Sequence, residues 1–286
     1  MATILVTGSN GQLGSEIQQL APRYPDHQFI FTDVAELDIC DVAALEEFFS
    51  ENHVDCLINC AAYTAVDRAE DETELAYKIN EKAVRLLGEA AALFGIRMIH
   101  VSTDYVFDGK TWLPYNEDAK VNPATAYGKT KLAGELGLQK VCPDAVIVRT
   151  SWLYSSFGNN FVKTMLKLGR ERDRLTVIFD QVCTPTYAAD LAEALLQIAT
   201  TETFVPGIYH YSNEGVCSWY DFTVAIHRIA GVDCEVVPIQ SKDYPTRTPR
   251  PFYSVLNKHK IKSVYNIKIA HWEASLKRCL FILENS

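Results

Sequence analysis

The sequence predicts an α/β fold: a doubly wound parallel sheet joined to a smaller, partly discontinuous domain. Three observations carry this. A strand, a glycine turn and a helix open the chain, and short apolar runs then alternate with helical periodicity through the first half. After Ser151 the alternation loosens, and aromatics, prolines and glycines become denser. Apolar runs that alternate with helices call for a parallel sheet covered on both faces.

The elements follow in order. Ile4-Leu5-Val6 marks a strand over residues 3–7, and Ile17 and Leu20 mark a helix over 12–20. Further strands are expected at 28–32, 56–60, 97–101 and 145–150, with helices at 42–50, 72–94 and 126–139. This order is Rossmann-like, so residues 1–150 read as a dinucleotide-binding domain. Helices near 161–168, 188–199, 218–230 and 270–283 are separated by irregular stretches. Residues 151–286 read mainly as a substrate-binding domain, with the segment near 175–205 expected to return to the first.

Composition excludes several classes. A chain of 286 residues, 48% of them hydrophobic, can bury a large core. Its formal charge of -9 argues against nucleic acid or an anionic membrane as a partner. A local basic pocket for an anionic small substrate remains compatible with that charge. The N-terminus lacks a basic and apolar signal pattern, and no apolar run approaches the roughly 20 residues of a membrane span. The eight cysteines form no Cys-x2-Cys pair, and Cys56 and Cys60 read as small core residues. A reducing cytoplasm is the expected location.

Val6-Thr7-Gly8-Ser9-Asn10-Gly11-Gln12-Leu13-Gly14 is the strongest local signal. Such a turn brings a dinucleotide diphosphate to a helix N-terminus, where free N–H groups and the helix dipole favour an anion. Gly8 would make the tight turn, Gly11 would admit the phosphate, and Gly14 would allow close helix–strand packing. Asn10, Gln12 and Leu13 are taken with them as cofactor contacts. Asp33 lies nineteen residues after Gly14, at a predicted strand end, where a carboxylate accepts from ribose hydroxyls and repels a 2′-phosphate. No Arg or Lys stands beside it, so NADH is favoured over NADPH. Asp38 and Ile39 are placed at the adenine edge. The plainer reading of Asp33 is a turn residue that closes a strand.

Tyr127 and Lys131 are four residues apart, on one helix face. A neighbouring ammonium lowers a phenol's pKa and makes it a usable acid near neutral pH. The pair alone would more often be a surface contact. Asn122-Pro123 just before it and Ser102-Thr103-Asp104 at a predicted strand end strengthen the active-site reading.

Together Gly8-x2-Gly11-x2-Gly14, Asn59-Cys60-Ala61-Ala62, Asn80, Ser102/Thr103 and Tyr127-x3-Lys131 resemble the extended short-chain dehydrogenase/reductase superfamily. Longer blocks are similar to its dTDP-4-dehydrorhamnose reductases: the run from Asn59 to Glu70, Ser102 to Gly109, Tyr127 to Glu135, Arg149 to Tyr154, Gly158 to Phe161, and Arg250-Pro251. The resemblance covers essentially the whole chain. It implies hydride transfer to the C4 ketone of a dTDP-linked deoxysugar. Tyr127 would then be the proton donor, Lys131 would hold the nicotinamide ribose, and Thr103 would hydrogen-bond the ketone oxygen. It also implies cofactor contacts at Ala61, Ala62, Tyr63 and Asn80, the last through a water-linked proton path. Thr64, Val66, Asp104, Tyr105 and Trp152 match substrate positions, although Trp152 reads equally as a core aromatic. Arg250 is a candidate for the substrate's pyrophosphate, or else a solvated loop residue.

Rivals on the same fold are a dehydratase, an epimerase and a non-catalytic subunit like the regulatory subunit of methionine adenosyltransferase. Tyr105 stands where a dehydratase needs a second carboxylate, and Thr103, Tyr127 and Lys131 exceed what a regulatory subunit requires. Glu16 matches one ligand of the Mg²⁺ that clamps dimers in some members, but Ala189 beside Asp190 replaces the expected glutamate. That departure puts a magnesium clamp through Glu16 in doubt and sets a monomer or a metal-free homodimer at least level with a Mg²⁺-clamped one.

Overall fold

A computed structural model describes residues 1–244 and 246–285. Six parallel strands form the main sheet. In the first half they are β1 (Thr3–Thr7), β2 (Gln28–Thr32), β3 (Cys56–Asn59), β4 (Arg97–Thr103) and β5 (Val146–Thr150). The strand Gly207–His210 pairs beside β5, giving the spatial order 207–210, β5, β4, β3, β1, β2. The chain winds outward from β1 to β2, then crosses back to β3, so the order reverses at β1. A crevice opens at that switch point, beyond the carboxyl ends of the strands.

Successive residues of a strand face opposite sides, and the core divides accordingly. Ile4, Val6 and Ile58 pack on one face with Leu13 and Ile17 of α1 (Gln12–Leu20) and with Leu191 and Leu195. Leu5, Leu57 and Met98 pack on the other with Leu45 and Phe49 of α2 (Val42–Glu51), Leu87 and Leu138. The expected helix over 72–94 divides into α3 (Thr73–Tyr77), a π-helical turn (Lys78–Lys82) and α4 (Ala83–Phe94). Asn80 lies in that turn. Its amide bonds the backbone N and O of Tyr63 at 2.9 and 3.0 Å, and its carbonyl touches Gly134, where a Cβ would come within 2.0 Å. A widened turn at this crossing has a local cause.

The helix α5 (Ala126–Val141) starts from Thr125, whose hydroxyl accepts from the N–H of Gly128 at 3.0 Å. A separate core joins Val162, Phe222, Ile226, Trp272 and Leu276. In the segment near 175–205, Arg174–Ile178 pairs with Glu235–Ile239 and not with the main sheet. Only alternate residues of that strand, Leu175 and Val177, are buried, whereas β5 is buried throughout. A one-faced strand suits a small sheet and not the centre of a covered one. The helix Ala188–Thr200 does pack against α1 and the main sheet. Among the described residues, no helix is long and apolar enough to cross a membrane.

Candidate active site

Two cavities meet the carboxyl ends of the strands. The smaller, of about 380 Å³, is lined by Gly8, Gly11, Asp33, Asp38, Ile39, Ala61 and Ala62 among others. These residues follow the ends of β1, β2 and β3, so the fold gathers seven of the cofactor candidates into one space. Gly8 has a φ of +67°, and a Cβ there would lie 2.6 Å from the backbone of Ala61. At Gly14 a Cβ would meet the Gly8 carbonyl at 2.5 Å, which is the close packing expected of the third glycine. Gly11 caps α1, and no side chain satisfies the helix N-terminus there. An unpaired helix start behind a glycine turn fits a diphosphate. The Asp33 carboxylate accepts from the backbone N–H groups of Asn10 (3.0 Å) and Val34 (2.8 Å) at the cavity edge.

Four cofactor candidates point elsewhere. Leu13 is part of the core. Gln12 accepts from Asn160 Nδ2 at 3.0 Å and so ties the start of α1 to the N-cap of the helix Phe161–Glu171. The Tyr63 hydroxyl donates to Glu72 at 2.5 Å. Asn80 is fully buried and donates to Thr130 at 3.1 Å.

Thr103 and Tyr127 both contact Tyr105, a wall residue of the larger cavity, and Lys131 lies near Cys60, a wall residue of the smaller. β4 runs two residues beyond the expected 97–101 because Ser102 and Thr103 pair with Arg149 and Thr150, so Thr103 ends the strand. The Thr103 hydroxyl accepts from the N–H of Tyr105 at 3.2 Å and hydrogen-bonds the Tyr127 phenol. Lys131 does not act on that phenol as expected. Its Nζ donates to the Val101 carbonyl at 2.8 Å and lies 3.3 Å from Nε2 of His100. Burial pushes the Tyr127 phenol up to about 12, and burial brings Lys131 down to about 8. The tyrosine is therefore a protonated phenol at neutral pH, which is the form a proton donor needs. The ammonium that was expected to activate it is turned toward β4.

The larger cavity, of about 750 Å³, is lined by Tyr105, Arg250, Asp67, Trp219, Phe161 and Tyr244 among others. The Tyr105 ring meets that of Tyr127 edge-on at 5.5 Å, which joins Tyr127 to this wall. Arg250 Nη2 donates to Asp67 at 2.7 Å, while Arg250 Nη1 and Asp67 Oδ1 are buried without a partner among the described residues. A buried guanidinium N–H left free in a cavity is a ready site for an anionic oxygen. Trp152 has a positive φ of 45° and stacks behind Trp219 at 3.4 Å, so it supports the wall from the second rank. Thr64 is exposed and Val66 half-buried, on the loop that leads to Asp67. Sequence reasoning quoted Asp67 and Phe161 in motif blocks without a role and missed Trp219, whose position carries no local signal.

Asp104 is buried beside this set. Its carboxyl accepts from Thr103 at 3.2 Å, lies 3.9 Å from Cys183 Sγ, and is pushed up to about 6 by burial. A folded-state value above the unfolded one means that the native state holds the proton more tightly. Stability tied to this group is present below about pH 4 and is lost as pH rises through about 6. Asp104→Asn is therefore expected to stabilise the protein at pH 8 by on the order of 2 kcal/mol, with a higher thermal midpoint, and to change stability little at pH 4. Equal shifts at both pH values in a melting experiment would exclude this assignment.

Glu16 is buried and accepts from Ser155 at 2.6 Å, while Asp190 bonds Asn213, Ser275 and Arg278. Among the described residues, no group of three or more His, Cys, Asp or Glu side chains is arranged to hold a metal ion.

The geometry agrees with three comparisons. The chain matches the family model for the RmlD substrate binding domain over residues 1–284. It is 41% identical to a dTDP-4-dehydrorhamnose reductase of Aggregatibacter actinomycetemcomitans, covering 97% of this chain and 98% of the relative. A solved structure of such a reductase from Clostridium acetobutylicum superposes with a TM-score of 0.93 at 45% identity, covering 99% of both chains. One from Bacillus anthracis, in complex with NADP, gives 0.94 at 36% identity, covering 98% of this chain and 99% of the other.

Proposed function

The chain belongs to the dTDP-4-dehydrorhamnose reductase family, and on that premise we propose that it reduces the C4 ketone of dTDP-4-dehydro-L-rhamnose to dTDP-L-rhamnose, the last step of dTDP-rhamnose biosynthesis. One observation supports the reading: Tyr127, a protonated phenol bonded to Thr103, packs edge-on against Tyr105 in the wall of the larger cavity.

A bound nicotinamide dinucleotide supplies the hydride. The open N-terminus of α1 and the Gly8–Gly11 turn suit its diphosphate, and Asp33 suits the adenosine ribose. Tyr127 delivers its phenolic proton to the sugar oxygen as negative charge develops there, and Thr103 donates a hydrogen bond to the same oxygen. The free Nη1 of Arg250 binds a pyrophosphate oxygen, and Trp219, backed by Trp152, forms an apolar wall of the sugar-nucleotide cavity. The eight cysteines are free thiols, which supports a reducing cytoplasm. The expected assembly is a monomer or a homodimer, which light scattering reads directly.

The test gives purified protein NADH or NADPH with dTDP-4-dehydro-L-rhamnose and with other keto sugar nucleotides. Stoichiometric cofactor oxidation with the first substrate supports the reading. Interconversion of sugar epimers without net oxidation overturns it in favour of an epimerase. In the same assay Asp33→Ala is expected to shift the NADH:NADPH ratio by about tenfold toward NADPH, the factor that about 1.4 kcal/mol gives. An unchanged ratio would mean that Asp33 does not face the ribose.

A further inference from the structure

His100 lies in the middle of β4, fully buried, directly under the catalytic group. Its two ring nitrogens face different partners: Nδ1 is 3.1 Å from Asn59 Nδ2, and Nε2 is 3.3 Å from Lys131 Nζ. The proton position follows from a group that has no choice. The backbone N–H of Ala61 can only donate, and it reaches Asn59 Oδ1 at 3.1 Å. The Thr7 hydroxyl donates to the same oxygen at 2.8 Å. The Asn59 amide is thus oriented with its oxygen toward Ala61 and Thr7 and its NH₂ toward the histidine.

An NH₂ donates, so His100 Nδ1 accepts, and the neutral ring carries its proton on Nε2. That N–H points at Lys131. An ammonium has three donors and no lone pair, so it would face the ring donor to donor. A free amine has one lone pair for the Nε2–H and keeps an N–H for the Val101 carbonyl, 2.8 Å away. The surroundings match the amine.

We propose that His100, held in its Nε2–H tautomer by Asn59, is a positioning residue that faces Lys131 with a donor and disfavours its ammonium. The proposal deepens the reductase reading and rests on it for its catalytic meaning. His100 thereby sets the pH at which the charge four residues along α5 from Tyr127 is lost, and with it the basic limb of turnover.

The ionisable groups around Lys131 are few. Burial is the largest influence and lowers it to about 8, opposed by Glu135 on its own helix and by Cys60 just after β3. Glu135 is engaged by Arg149 and Ser102, and burial pushes the Cys60 thiol up to about 12. Burial first, and then Lys131, hold His100 well below the usual histidine range, so the ring stays neutral.

Two readouts on the protein without substrate test this. Imidazole ¹⁵N spectra of the wild type should show His100 protonated at Nε2 and bare at Nδ1 across about pH 6 to 9. The ¹³Cε resonance of Lys131, assigned by its loss in Lys131→Met, should titrate near about pH 8 in the wild type and above about pH 9 in His100→Gln. The glutamine oxygen accepts from an ammonium where the ring N–H could not. With substrate, the basic limb of the kcat profile should move by the same amount while KM holds. An Nδ1–H tautomer, or a Lys131 midpoint unmoved in His100→Gln, overturns the proposal. If that variant does not fold, the wild-type tautomer still decides. Both spectra are read without a ketone, so failure of the substrate assay leaves them standing as a separate result.

Discussion

Replacing Tyr127 with phenylalanine lowers turnover of the 4-keto sugar nucleotide by about 10² to 10⁴-fold and leaves cofactor binding within about twofold of wild type. The substitution removes only the hydroxyl that Thr103 bonds. The ring keeps its packing against Tyr105 and its place beside Tyr63, Ala69 and Ala76. The glycine-loop cavity has no contribution from this side chain, so the dinucleotide should still bind. Steady-state reduction together with a fluorescence titration of the reduced cofactor measures both quantities. Turnover at the wild-type rate would remove Tyr127 as the acid, and a parallel loss of cofactor binding would indicate collapse of the site instead.

Arg149→Met destabilises the protein by about 3–5 kcal/mol, a fall of roughly 10 °C in the melting midpoint. Arg149 and Glu135 are both essentially inaccessible, and they pair through two parallel bonds, Nε to Oε1 at 2.9 Å and Nη2 to Oε2 at 2.6 Å. Ser102 also donates to Glu135 Oε1, at 2.5 Å. The methionine variant leaves a buried carboxylate with one hydroxyl as its partner, and the uncompensated charge causes most of the loss. Arg149→Met combined with Glu135→Leu should recover a large part of it, because a well-packed apolar pair replaces a buried ionic one at little cost. Calorimetry of the two variants separates these outcomes. If the double variant melts no higher than the single one, the charge argument fails. Together with Ser102 the pair ties β5 to β4, which carries Thr103, and to α5, which carries Tyr127 and Lys131. Turnover should therefore fall in the single variant even at temperatures where it remains folded.

Much of the site was legible because its parts lie next to strand ends. Gly8, Gly11, Asp33, Asp38, Ala61 and Ala62 each fall within a few residues of a predicted strand, and all line one cavity. The direction in which a neighbouring side chain turns was not legible. Gln12 and Leu13 belong to the same turn, yet one reaches Asn160 and the other enters the core. The Tyr127–Lys131 spacing correctly placed both on one helix, but it gave no sign that Lys131 would face His100 and Val101. The likeness of the motif blocks identified the family, whereas the lysine's partners depend on a strand 31 positions away.

By itself the sequence determined the order of strands and helices, the glycine turn and the residues at the strand ends. Apolar period and backbone permissiveness are encoded within a few residues. Only the tertiary structure decided that 174–178 leaves the main sheet, that Asn80 sits in a π turn, and that His100 stands between Asn59 and Lys131. Each of these depends on contacts between distant segments, where burial and hydrogen-bond orientation, rather than local preference, set the outcome.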